Sequence, residues 1–170
     1  MQHTHYTSPF TTKQFPIVIV SENVTNAANV GSLFRAADAF GVEKLIFCGE
    51  HVSLGKRFTK TSRATEQYVD FALETDAIKV LEDYQSSAYT IIGLEITSTS
   101  LSLKDFKLKQ HNPIVLLIGD ENHGISEQAL NLCEYCIHID MFGNNSSMNV
   151  THATSIALYE LTKQLQNKNL

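Results

Sequence analysis

The chain alternates short, wholly apolar runs with amphipathic stretches. Ile17-Val18-Ile19-Val20, Leu45-Ile46-Phe47-Cys48, Tyr89-Thr90-Ile91-Ile92-Gly93-Leu94, Ile114-Val115-Leu116-Leu117-Ile118 and Tyr135 to Ile139 are apolar segments of strand length. A run that is apolar at nearly every position, not at alternate ones, predicts a strand covered on both faces. Helical periodicity lies between these runs. Val30, Leu33, Phe34, Ala37 and Phe40 share one face of a helix that Gly41 should end. Ile78, Val80, Leu81 and Tyr84 lie near one side of a helix over 76–86, and a last helix is predicted over 149–166. Residues 49–65 are polar and read as loop or short helix. Strands separated by helices predict an α/β fold, a mostly parallel sheet with helices on both faces. No internal repeat or linker interrupts the pattern, so residues 1–170 are read as one domain with its core at about 16–165.

Composition narrows the class. In 170 residues, 43% are hydrophobic and 18% charged, enough apolar material for a core and too little charge for a disordered chain. No apolar run is long enough to span a bilayer, and Met1 to Phe10 lack the apolar centre of an export signal. The expectation is a cytoplasmic protein with no membrane partner. Of three cysteines, Cys133 and Cys136 form a C-x-x-C pair, but the only other cysteine, Cys48, sits in an apolar run. A zinc site needs a fuller ligand set, so half-buried thiols and no metal are expected.

The net charge of −5 argues against nucleic acid if taken as a sum. Its distribution says more. Lys56, Arg57, Lys60 and Arg63 fall within eight residues free of acids, a candidate RNA-phosphate patch or a solvated face. Lys104, Lys107 and Lys109 form a second small cluster.

In parallel α/β sheets ligands gather at the carboxyl ends of the strands. Three segments there, 21–35, 119–126 and 140–151, are rich in Gly, Asn and Ser. In the first, Asn26 or Asn29 could cap the helix, and Arg35 stands among Phe34, Ala36 and Ala37, where a cation needs a partner if buried. In the second, Gly119-Asp120-Glu121-Asn122-His123-Gly124 follows the most apolar strand; it suits a ligand-binding loop or a plain turn capped at Ser126. In the third, Ser147 and Asn149 suit helix capping, yet the stretch offers more polar residues than one cap requires.

These residues together resemble the three motifs of the SpoU methyltransferases of the SPOUT superfamily: Asn29-x-Gly31-x-x-x-Arg35-x-Ala37, then Gly119-x-Glu121-x-x-Gly124, then Ser147-Met148-Asn149-Val150-Thr151 with Tyr159-Glu160 following. Met148 and Thr151 stand where Leu and Ser are usual, and Asp140 where Pro is usual. Tyr89 to Glu95 is similar to the tRNA guanosine 2′-O branch. The resemblance implies a C-terminal trefoil knot, a homodimer with its active sites near the subunit interface, and methyl transfer from S-adenosylmethionine to a ribose 2′-hydroxyl of RNA. A tRNA substrate is favoured over rRNA. The rival readings are an RNA base methyltransferase and a non-catalytic RNA-binding module. Arg35 is implied as the central catalytic residue, with Glu121 orienting it or hydrogen-bonding near the cofactor, Ser147 and Asn149 fixing it and the reacting ribose, and Asn29 shaping the same pocket. Cofactor contacts are implied at Leu94, Glu95, Ile96, Ile118, Gly119, Glu121, Gly124, Ile139, Met141, Ser147 and Met148.

Overall fold

A computed structural model describes residues 11–50, 52, 60–109, 112–145 and 147–167. Lys56 and Arg57 of the basic stretch, and Met1 to Phe10, lie outside the described residues. The elements are β1 (Phe15–Glu22), α1 (Ala27–Ala39), β2 (Val42–Cys48), a 3-10 turn (Thr65–Gln67), β3 (Asp70–Glu74), α2 (Ala77–Ser86), β4 (Thr90–Leu94), β5 (Leu101–Ser102), β6 (Ile114–Ile118), α3 (Glu127–Leu130), β7 (Tyr135–His138) and α4 (Val150–Asn167).

Seven strands form one sheet in the order β3-β2-β1-β6-β4-β7-β5, and every ladder is parallel. The continuous apolar runs now have their cause. Alternate residues of each strand face opposite layers. Ile17, Ile19, Leu45, Phe47, Leu116 and Ile118 pack under α1 and α4, while Val18, Val20, Ile46, Val115 and Leu117 pack under α2 and α3. All five residues of β6 are buried. Among the described residues no helix is long and apolar enough to cross a membrane.

α1 begins at Asn26, whose side chain accepts the Ala28 N–H at 2.9 Å, so Asn26 and not Asn29 is the cap. It ends at Phe40, with Gly41 next in the left-handed region at φ +61°. Residues 60–62 form a helical turn that leads into Arg63 and Ala64, both at positive φ. Three elements escape the hydrophobic pattern. β3 (Asp-Phe-Ala-Leu-Glu) is a half-exposed edge strand, β5 is two residues long, and α3 is a single turn. Because the sheet is parallel, the loops after β1, β4, β6 and β7 all emerge at one end.

Candidate active site at the carboxyl ends of the strands

A cavity of about 480 Å³ opens at that end of the sheet. Leu94, Glu95 and Ile96 reach it from β4; Ile118, Gly119, Glu121 and Gly124 from β6 and its loop; Ile139 and Met141 from beyond β7; Ser147 and Met148 from the approach to α4. All eleven positions implied for the cofactor thus line one space. Thr97, Asp120, Ile125, Leu130, His138, Val150 and Ala153 also line it. Asp120 and Val150 lie within the motifs already singled out; nothing in the local sequence marks Thr97, Leu130 or His138 as site residues, and the fold alone brings them to the cavity.

The loop 119–126 owes its shape to packed backbone and carboxylates. Asp120 and Gly124 form an antiparallel bridge, with the Gly124 N–H donating to the Asp120 carbonyl at 2.9 Å. The Asp120 carboxylate accepts the N–H groups of Asn122 (2.9 Å) and His123 (2.8 Å). Partial burial pushes Asp120 up, but these bonds and the His123 ring outweigh it and leave its pKa below the ordinary value. Glu95 accepts from Ile96 N–H at 2.8 Å and Ile125 N–H at 3.2 Å. Glu22, buried at the end of β1, accepts from both the N–H and the hydroxyl of Ser126, each at 2.8 Å. Sequence reasoning passed over Glu22, a lone acid after an apolar run; its task is to hold the far end of this loop.

Asn149 is the centre of the polar cluster. Its amide nitrogen donates to Glu121 Oε1 at 2.6 Å and to Asn29 Oδ1 at 3.1 Å. Its Oδ1 accepts the Thr151 N–H at 3.0 Å and the Thr151 hydroxyl. All four hydrogen-bonding sites of the amide are in use, which fixes its orientation. Asn149 does cap α4, as one of the sequence readings has it, and the other end of its amide joins Asn29 to Glu121. A polar pocket of about 270 Å³ adjoins the cavity, lined by Val24, Thr25, Asn26, Asn29, Asp120, Glu121 and Asn122. Glu121 belongs to both walls.

Arg35 is placed elsewhere. It is exposed on α1 while Asn29 is buried. Six residues along a helix is a rise of about 9 Å and a turn to a different face. Among the described residues no hydrogen bond joins Arg35 to Glu121, Ser147 or Asn149. The expectation that these residues hold Arg35 is therefore not met within a single chain.

Asp140 ties the start of the next loop. It accepts the Ser102 hydroxyl at 2.7 Å and meets Lys104 Nζ at 3.0 Å and His138 Nε2 at 3.5 Å. The Ser102 bond first, then Lys104, holds its carboxyl below the usual range. Where Pro would stiffen the backbone, side chains do so here. Lys104 is thereby paired, and Lys109 lies over the Tyr135 ring at 5.5 Å, so the second basic cluster is largely engaged. Lys60 and Arg63 are exposed, as are His123 and His152.

The cysteines form no cage. Cys133 donates to the Ala129 carbonyl (3.4 Å) and Cys136 to the Glu95 carbonyl (3.5 Å). Burial pushes the Cys48 and Cys133 thiols up to about 12, and raises Cys136 as well. Among the described residues no group of three or more His, Cys, Asp or Glu could hold a metal ion.

Comparison with known proteins bears on this arrangement. A tRNA (guanosine(18)-2′-O)-methyltransferase of Aquifex aeolicus is 24% identical over 158 residues, 93% of this chain and 74% of that one. A 23S rRNA (guanosine-2′-O-)-methyltransferase, RlmB, of Pseudomonas aeruginosa is 26% identical over 150 residues, 88% of this chain and 59% of that one. The chain spans 58–59% of the length of several curated relatives that it matches. Among solved structures, the SpoU methyltransferase AviRb of Streptomyces viridochromogenes, in complex with the cofactor AdoMet, superposes with a TM-score of 0.76 at 25% identity, over 94% of this chain and 63% of that one. The model of the SpoU rRNA Methylase family matches residues 16–159, which takes in the cavity, the loop 119–126 and the Asn29–Asn149–Glu121 cluster, and the chain belongs to that family.

Proposed function

We propose that this protein transfers a methyl group from S-adenosylmethionine to a ribose 2′-hydroxyl of RNA, in the cytoplasm and with tRNA as the favoured substrate. The observation that carries the reading is the junction at Glu121. Glu121, with its neighbours Asp120 and Asn122, lines both a cavity of cofactor size that has apolar and polar walls and a polar pocket of ribose size. The cavity fits the cofactor. Leu94, Ile96, Ile118, Ile139, Met141 and Met148 give an apolar wall for the adenine and the methionine chain, and Glu95, Asp120 and Glu121 put negative charge around a cationic ligand. When bound, S-adenosylmethionine supplies a sulfonium methyl group open to in-line attack.

The chain's own residues must then place and activate the hydroxyl. Asn149 presents Glu121 and Asn29 as a fixed pair at the edge of the polar pocket, where they hold the ribose. Ser147, an exposed residue on the cavity wall, helps to fix the ribose. Arg35 brings the planar, cationic fork of donors that matches phosphate geometry. It serves by holding the hydroxyl and a substrate phosphate and by stabilising developing negative charge, and the phosphate takes the proton.

Arg35 reaches the cluster from a second copy of the chain. Ile156 (42% exposed) and Tyr159 (63% exposed) lie three apart on α4, which packs beside α1. Burying this face against a symmetric copy would carry the exposed side of α1, with Arg35, toward a partner's site. The chain path belongs to the same reading: β4 lies between the later strands β6 and β7, a strand order suited to closing the last third of the chain into a trefoil knot.

The test is digestion of RNA incubated with the protein and labelled cofactor. Ribose methylation leaves label in nuclease-resistant dinucleotides; label in mononucleotides alone would mean that a base is methylated and would end this reading. The basic stretch has its own test. Lys60→Ala and Arg63→Ala are each expected to weaken RNA binding by about threefold to tenfold and to flatten its salt dependence by about one unit of log–log slope. Unchanged slopes in filter binding for both would dismiss the patch.

A further inference from the structure

The loop between β7 and α4 leaves one large apolar side chain in water. Phe142 is 94% exposed, and Met148, near the other end of the loop, is 36% exposed. Together with Asp140, Met141, Asn144 and Asn145 they line a shallow depression of about 580 Å³. Met141 and Met148 also wall the cofactor cavity, so the depression and the cavity share a partition. The carboxylate of Asp140 is turned to Ser102 and Lys104, and the Lys104 ammonium at 3.0 Å offsets its charge.

We propose that Phe142 and Met148 form a stacking platform for a nucleobase of the RNA strand being methylated, with Asn144 and Asn145 reading its edge. This rests on the ribose-methylation reading above. The reacting ribose must lie at the cavity mouth, so its own base or the neighbouring one falls within a nucleotide's length of the shared partition. The chemistry suits such an occupant. A phenyl ring takes any base face to face, thioether sulfur packs favourably against aromatic edges, and a carboxamide both donates and accepts along a base edge. Selective RNA enzymes commonly read single-stranded bases in this manner.

The protein contains no tryptophan, so Phe142→Trp places the only tryptophan at the proposed contact, where it can be excited apart from the tyrosines. Its emission is expected to be quenched saturably by unfractionated tRNA and not by inorganic polyphosphate, which has the charge without the bases. Phe142→Ala is expected to weaken tRNA retention on filters by about tenfold, within the range for loss of one stacked base, while S-adenosylmethionine affinity stays unchanged. Phe142→Trp should bind like the native protein, and Phe142→Leu like the alanine variant. Retention of tRNA by Phe142→Trp without quenching would overturn the platform, as would native binding by Phe142→Leu. Emission already blue-shifted and concentration-dependent without RNA would show that a second copy covers the ring, and would overturn it too. If the native protein methylates ribose while quenching is absent, only the platform fails. If the native protein neither binds nor methylates RNA, the functional reading fails and takes the platform with it.

Discussion

Arg35→Ala is expected to lower methyl transfer by about a thousandfold, at the upper end for losing one donor that meets developing charge, while S-adenosylmethionine binds as before. The separation follows from the structure. Arg35 is exposed on α1 and lines neither the cavity nor the polar pocket of its own chain. Removing it disturbs no buried contact, so thermal stability should change by less than about 0.5 kcal/mol. Asn149→Ala should also abolish turnover, but through Asn29 and Glu121, which lose their common partner. The two variants together test the dimer. In a two-fold symmetric pair whose sites take Arg35 from one subunit and Asn149 from the other, a mixed dimer of the two variants keeps one intact site. Equilibrated mixing of the two inactive proteins should then recover about a quarter of native activity, since half the dimers are mixed and each holds one good site of two. If Arg35 acted on the cluster of its own chain, no mixture would contain an intact site and none would recover. Turnover at the native rate by Arg35→Ala alone would end its assignment as a catalytic residue.

The contrast between Arg35 and Asn149 shows what a sequence can and cannot carry here. Strands β1, β2, β4, β6 and β7 were legible because their central runs, packed into the two core layers, are apolar at nearly every position. β3 was not, because an edge strand covered by little more than its neighbour β2 needs no such run: Asp70 and Glu74 are exposed at its ends. Within the site, the cavity-lining positions are named through the family resemblance, and the strand ends they occupy bring them to one space. Asn26 and Asn29 were indistinguishable as caps by residue type; burial and the Asn149 contact separate them. Glu22 was invisible, since its partner Ser126 lies 104 residues away and no local pattern links them. For Arg35 the sequence suggested a partner, and the single chain supplies none of the expected ones. On the proposed reading its partners come from a second copy of the chain, and periodicity and spacing do not encode assembly.

Gly119→Ala is expected to remove cofactor binding and to cost about 3 kcal/mol or more of stability, at the severe end of overpacking. A Cβ at Gly119 would lie 2.2 Å from the Gly124 carbonyl carbon, 2.3 Å from its oxygen and 2.5 Å from Ile125 N. All three are backbone atoms, so no side chain can swing aside. Nor can the backbone drift freely. Gly124 is tied to Asp120, Ile125 to Glu95, and Ser126 to Glu22. Relief of the clash must break one of these ties, and each break moves the loop that carries Glu121. Gly124 is constrained from the other side. It sits at φ +68°, and a Cβ there would approach Glu95 Oε2 to 2.5 Å. The two glycines of the second motif are thus required by one another and by the Glu95 carboxylate, a reason for their spacing that needs no ligand. Gly143 gives the control. It lies in the other cavity loop, yet a Cβ there meets nothing within 4 Å, so Gly143→Ala should leave the melting temperature and cofactor affinity nearly unchanged. Calorimetric titration and thermal melts of the two variants decide the matter. Equal behaviour of Gly119→Ala and Gly143→Ala would mean that the loop 119–126 yields in a way its tethers forbid, and would remove the mechanical basis for Glu121 as a fixed member of the site.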